Sequence, residues 1–206
     1  HPQKDHLQGL ISVAQRYKIK YFIIGAVGND TEGYRTLVKS IQDRKIPVKN
    51  LYQGDSFSLG MVKFDILWPE KKWLAEKVQS SKFKVQSAGS AILGLSTEDD
   101  LNNFSYYLHL KYGEFDALFT GDGDSKIQPV ILETSILPDV DVLKFPHHGS
   151  KTGILAEFLD KIKPEEAVIS VGKNSYGHPT QEAISLLRDR AIKIKRTDLD
   201  GDVEVV

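Results

Sequence analysis

Cysteine is absent from the 206 residues. Disulfides, thiolate metal sites and a cysteine nucleophile are therefore excluded, and the redox compartment cannot be read. Long apolar runs are missing as well: no stretch nears the roughly 20 residues that span a bilayer. Nor does the chain show the basic start, apolar core and small-residue cleavage site of a secretory leader. An excess of one charge is lacking too, because 27 Lys+Arg against 28 Asp+Glu leave a formal net charge of −1. Such a balance argues against gripping nucleic acid by bulk positive charge, although a local patch combined with a metal ion stays open. The 40% hydrophobic and 27% charged content suits one globular domain, or one domain with an insertion.

What the chain does have is clustered histidine. Five of its six histidines lie in three short segments: His1-Pro2-Gln3-Lys4-Asp5-His6, Phe145-Pro146-His147-His148-Gly149-Ser150 and Tyr176-Gly177-His178-Pro179. Between the first two, the apolar run ending in Phe119-Thr120-Gly121-Asp122 delivers a carboxylate. Imidazole and carboxylate together suit zinc, manganese or iron. His109 differs: it sits in the alternating run Tyr106-Tyr107-Leu108-His109-Leu110 and reads as sheet surface or packing.

Periodicity and punctuation predict an α/β (α+β) order. Helices are expected at 9–17, from Thr31-Glu32 to before Pro47, at 69–78, 125–134, 154–162 and 181–190. Strands are expected at 21–24, 48–52, 62–68, 104–112, 115–119, 140–145, 167–171, 192–195 and 202–206. Residues 80–100, rich in Ser, Gly and Lys and then acidic, read as a long loop or insertion. The chemistry-bearing clusters fall where strands end and loops begin, where layered α/β folds build their sites.

Each cluster has a chemical reading beside a plainer one. His1 would offer a neutral imidazole to a metal, and Asp5 and His6 could serve a second ion. Asp5 could also orient an attacking water or take its proton; alternatively it caps the next helix. Asp122, at a sheet edge, could bridge two ions or cap a helix. Adjacent His147 and His148 cannot both point the same way, so one can bind metal while the other contacts substrate. Gly149 permits close backbone approach, and Ser150 can hydrogen-bond an anion. Asn174, Tyr176 and His178 place polar groups on a loop before a helix N-terminus, or His178 merely ties that loop together.

These four motifs in this order resemble the metallo-β-lactamase superfamily. More narrowly, they resemble the C-terminal hydrolase domain of ComEC-type competence proteins, which import DNA. The likeness covers most of the chain and is clearest from Asn102-Asn103-Phe104-Ser105 onward, through Val142-Leu143-Lys144-Phe145-Pro146-His147-His148-Gly149-Ser150, Ile169-Ser170-Val171-Gly172 and Arg196-Thr197-Asp198-Leu199-Asp200-Gly201. The pairing of Pro-His-His-Gly-Ser with Tyr-Gly-His-Pro is its specific part.

The resemblance implies a four-layer αββα sandwich holding one or two divalent ions, zinc or manganese, between its sheets. It implies His1, Asp5, His6, Asp122 and His148 as ligands, with His147 and His178 as phosphate contacts or further ligands; Asp5, His147 and His178 are the expected catalytic residues. Asn103, Ser150, Asn174 and Tyr176 are the expected substrate contacts, Asn103 standing where other members carry a ligand histidine. The implied activity is phosphodiester hydrolysis of DNA, with the single strand that is not imported as the expected substrate. A membrane channel elsewhere in the protein and a position at the extracytoplasmic face of a bacterial membrane are implied too. Two departures stand out. Gln3 replaces the second histidine of the family's first motif, which predicts one strong ion site and one loose one. The family's first strand pair would precede His1, so an N-terminally truncated domain is expected. Hydrolysis of another ester (a phosphocholine ester, a lactam or a thioester), and a degenerate, catalytically weak domain of a DNA-transport channel, are the alternatives.

Overall fold

A computed structural model describes residues 1–25, 27–80 and 100–205. Except at its two ends, the loop or insertion expected at 80–100 lies outside the described residues.

The first helix, α1 (Lys4–Arg16), buries Leu7 and Ala14, two turns apart on one stripe. Strand β1 (Phe22–Ile23) follows, then α2 (Glu32–Asp43), which opens on Thr31 accepting a hydrogen bond from Tyr34 N and buries Leu37, Val38 and Ile41. Arg44, just past the end of α2, donates from Nη1 to Ala14 O at 2.8 Å, so a cation meets the carbonyl end of α1. Strand β2 (Val48–Lys49) pairs in parallel with β1, and α1 and α2 cover this small sheet with their own apolar core.

Next come β3 (Ser56–Leu59), β4 (Val62–Trp68) and α3 (Lys71–Ser80). After a single 3₁₀ turn at Leu101–Phe104 come β5 (Tyr107–Tyr112), β6 (Phe115–Phe119) and α4 (Gln128–Thr134). The chain continues through β7 (Val142–Lys144), α5 (Ala156–Ile162), β8 (Glu166–Ile169), α6 (Gln181–Arg188), β9 (Lys193–Arg196) and the one-turn α7 (Thr197–Asp200). Strands β3 to β9 form one seven-stranded sheet in sequence order, antiparallel from β3 to β6 and parallel from β6 to β9. The main core lies against it, built from Leu118, Leu143, Ala167 and Ile169 of the strands and Ile131, Phe158, Leu159, Ala183 and Leu187 of α4, α5 and α6.

The two sheets meet at Tyr106, whose hydroxyl lies 2.9 Å from Ile24 O and 3.0 Å from Leu51 O. Helices thus flank a large mixed sheet and a smaller one, the α/β class expected. Three expectations need correction. Helix α1 starts at Lys4, not residue 9, because Gly9 sits on its exposed face and interrupts nothing. Strand β3 forms where only a turn was expected. No strand forms over 202–205: Asp200 accepts from Arg196 N at 2.7 Å and Asp198 pairs with the Arg196 guanidinium, so local bonds curl the chain into α7.

Candidate metal centre

The parallel strands β6, β7 and β8 all deliver their C-terminal ends to one side of the sheet. Asp122 follows β6, the His147-His148 pair follows β7, and the loop carrying Tyr176 and His178 follows β8. Helix α1 lays its first turn, with Asp5 and His6, over the same place. The donor atoms of Asp5, His6, Asp122 and His148 all lie within 4.8 Å of one another. Asp122 Oδ2 is 2.9 Å from His6 Nε2 and 3.2 Å from His148 Nε2, while Asp5 Oδ2 is 3.5 Å and 3.4 Å from the same two nitrogens. Four donors bound tetrahedrally at about 2.1 Å stand about 3.4 Å apart, so these separations suit one divalent ion.

The tautomers fit as well. His148 Nδ1 donates to Ser170 O at 2.7 Å, which turns Nε2 toward the two carboxylates. With Nδ1 already donating, a hydrogen bond from Nε2 makes the ring an imidazolium; a cation can stand in for that second proton. The hydrogen bond to Asp122, helped by Ser170 O, raises the His148 pKa against the effect of burial. Burial works to raise the Asp122 carboxyl, but His148, His6 and Lys144 overcome it and hold the group well below the ordinary carboxylate range. Asp122 is 2% exposed and caps no helix, since α4 begins beyond Ile127. Asp5 likewise is no cap: Gln3 holds that position on α1, without a side-chain bond.

Residues missed in the sequence shape the centre. Ser105 Oγ bonds His1 Nδ1 at 2.7 Å and accepts from Asp122 N at 3.2 Å, locking both. Lys144 Nζ donates to Gly121 O at 3.1 Å and lies 3.7 Å from Asp122 Oδ1, a buried oxygen without a hydrogen-bond partner. Burial lowers the Lys144 pKa, and Asp122 works against that. The readable signal was a lone lysine in an otherwise apolar strand, Val142-Leu143-Lys144-Phe145.

His147 and His148 both adopt left-handed backbone, with φ of 50° and 53°. Such geometry costs a residue with a side chain roughly 1–2 kcal/mol. It is held by Gly149 (φ +87°), which packs so closely on Pro179 that an added Cβ would lie 2.4 Å from Pro179 Cβ. That contact sets the His178 ring 5.8 Å from the His147 ring. Burial, then His147 and His148, lower the His178 pKa. A cleft of about 550 Å³ runs over the centre, lined by Gln3, Lys4, Asp5, Asp122, His147, His148, Tyr176 and His178 among others.

Not every expected residue reaches it. His1 is outside the four-donor group and lines an apolar pocket under α1; its ring lies 4.2 Å from that of His6, and its buried Nε2 has no partner. Asn102, not Asn103, lines the cleft, while the Asn103 carbonyl accepts from Trp68 Nε1. Ser150 is buried beside the neighbouring loop, within 3.2 Å of Thr152 Oγ1, because its side chain closes the turn at Thr152. Asn174 is spent within its own loop, bonding Gly172, Tyr176 and His178.

Comparison with known proteins agrees with the motifs. The chain is 26% identical over 209 residues to ComE operon protein 3 of Bacillus subtilis (strain 168), a match covering 99% of the chain and 23% of that protein. It is 37% identical over 109 residues to competence protein ComA of Neisseria gonorrhoeae, covering 51% of the chain and 16% of that protein. Recombination protein 2 of Haemophilus influenzae is 30% identical over 105 residues, covering 50% of the chain and 13% of that protein. The chain is a homologue of these three proteins. It spans less than a quarter of the length of each. No family model matches it. Among solved structures, a mutant of CmlA beta-hydroxylase superposes with a TM-score of 0.44 and 12% identity, over 85% of the chain and 42% of that protein. Among the described residues, no helix is long and apolar enough to cross a membrane.

Proposed function

We propose that the chain is a single metal-dependent phosphodiesterase domain that cleaves DNA, single-stranded by preference, during competence-type uptake. The observation that carries this is the convergence of Asp5, His6, Asp122 and His148 on one point in the floor of a cleft. The names of two homologues support a competence setting; the place beside a membrane channel at the extracytoplasmic face is part of the proposal and rests on the resemblance of the motifs.

Zinc or manganese fits this mixed donor set. When bound, such an ion would lower the pKa of a water and offset phosphate charge. Asp122 and His148, fixed by Ser105, Lys144 and Ser170, would hold it, with His6 and Asp5 Oδ2 completing the set. Asp5 is on the solvent side and faces His6 and His148 through Oδ2, so its other oxygen would take a proton from the attacking water. His178, its pKa lowered by burial and then by His147 and His148, would donate a hydrogen bond to a non-bridging phosphate oxygen, and His147 stands beside it.

Gln3 and Asn102 at the cleft, where further nitrogen ligands are wanting, favour one strongly held ion. They also motivate the rival reading, a binding domain without turnover.

The test is incubation of the chain with end-labelled single-stranded DNA and manganese or zinc, beside His148→Ala and Asp122→Asn shown to be folded by circular dichroism. Metal-dependent cleavage by the parent alone supports the proposal. Cleavage by all three refutes this site, and a folded, metal-loaded parent that cuts nothing favours the binding domain.

A further inference from the structure

Tyr176 is 81% exposed, yet its position is fixed. Asn174 Oδ1 accepts from both Tyr176 N and His178 N at 3.0 Å, and Asn174 Nδ2 donates to Gly172 O at 2.9 Å and to His178 O at 2.8 Å. Four bonds from one side chain thus brace the loop. The Tyr176 ring lies nearly parallel to the His178 ring, with centroids 5.9 Å apart and planes 19° from parallel. His178 in turn meets His147 edge-on. Three rings therefore run from the mouth of the cleft to the neighbour of His148, and all three line the cleft that holds Asp122.

An aromatic so exposed contributes little to the core, and the braced loop removes much of the mobility that binding would otherwise have to freeze. Its outer face offers a flat, polarisable surface at fixed distance from the metal centre. Lys4, lining the same cleft, supplies a cation for a backbone phosphate. A stacking ring beside a phosphate-binding cation is how proteins hold single strands with little sequence preference.

We infer that Tyr176 is the stacking platform for an unpaired nucleobase next to the scissile phosphate. This rests on the DNA reading above and gives that site its selectivity. A base inside a duplex has both faces covered by its neighbours, so only an unpaired base can lie on Tyr176. The cleft therefore discriminates single strands from duplex through one ring, not through charge.

Fluorescence anisotropy tests this, with calcium replacing the catalytic metal so that nothing is cut. The probes are a labelled oligothymidine, an abasic oligomer of the same length and charge, and a duplex of that length. Tyr176→Ala is expected to weaken oligothymidine binding by between about fivefold and about a hundredfold. Binding of the abasic oligomer stays unchanged, and Tyr176→Phe restores the oligothymidine value. Equal affinity of parent and Tyr176→Ala for oligothymidine overturns the platform while leaving the DNA reading standing. Equal losses on both strands overturn it in favour of a structural role. A parent that binds no probe overturns both readings.

Discussion

Replacing Gly149 by alanine isolates the contact that joins the two histidine loops. Two penalties add there. The φ of +87° places any side chain in a region that L-residues disfavour, and the new Cβ would sit 2.4 Å from Pro179 Cβ and 2.8 Å from Pro179 Cα. The proline ring cannot swing aside, so the 176–180 loop must move by about 1 Å, straining the bond from Thr180 N to Gly149 O. Left-handed strain of roughly 1–2 kcal/mol and overpacking of roughly 1–3 kcal/mol give an expected loss of about 2–5 kcal/mol. Gly54→Ala is the control, because Gly54 has φ +89° with nothing within 4 Å, so only the strain applies. Urea unfolding of both variants reads the difference. The expected result is a Gly149 loss that exceeds the Gly54 loss by at least about 1 kcal/mol. Equal losses would show that the loops do not rest on this contact.

Gln3→His should raise the number of manganese ions bound per chain from one to two, read by native mass spectrometry; the change is tolerable because Gln3 makes no side-chain cap on α1. An unchanged count would mean that the Lys144 ammonium or another group closes the second position. Tyr107→Phe removes a fully buried hydroxyl that donates to Gly123 O and accepts from Gln128 Nε2, each at 3.2 Å, and should cost about 1–3 kcal/mol in urea melts. Asp160 is held below its ordinary pKa by the Arg190 guanidinium. A depressed carboxylate contributes stability above its unfolded pKa, near 3.9, and loses it as pH falls through the folded value. Asp160→Asn should therefore flatten the acid side of the stability curve and lower the plateau at neutral pH; an unaltered acid limb would refute the pairing.

The strands of the large sheet and their order of chemistry could be read because apolar runs ended on polar ligands at each crossing. Asp5, His6, Asp122 and His148 announce themselves by residue type, and the structure brings their atoms together. What could not be read depends on relations between distant segments. Ser105 matters because it spans His1 and Asp122, and Ser170 matters through its carbonyl, which no side-chain motif encodes. Ser150 and Asn174 looked like ligand groups because serine and asparagine serve turns and anions equally well; local bonds claimed both. Strand β3 escaped although Ser56-Phe57-Ser58-Leu59 alternates, because it is only four residues long, mostly exposed and flanked by the turn residues Gly54, Asp55 and Gly60.

The bond between His6 and Asp122 joins residues 116 positions apart, and His148 extends the group further still. Such a cluster has no partial form: a chain that has made only its N-terminal half holds two of the four donors. Full affinity for an ion would therefore require β6 and β7 to have paired, and saturation with metal would count completed molecules in a population. An ion seated among these four donors would act as a removable clasp across more than half the polypeptide. Peeling α1 from the body would then require letting go of the metal first, and chelation would loosen one end of the protein while the rest stays folded.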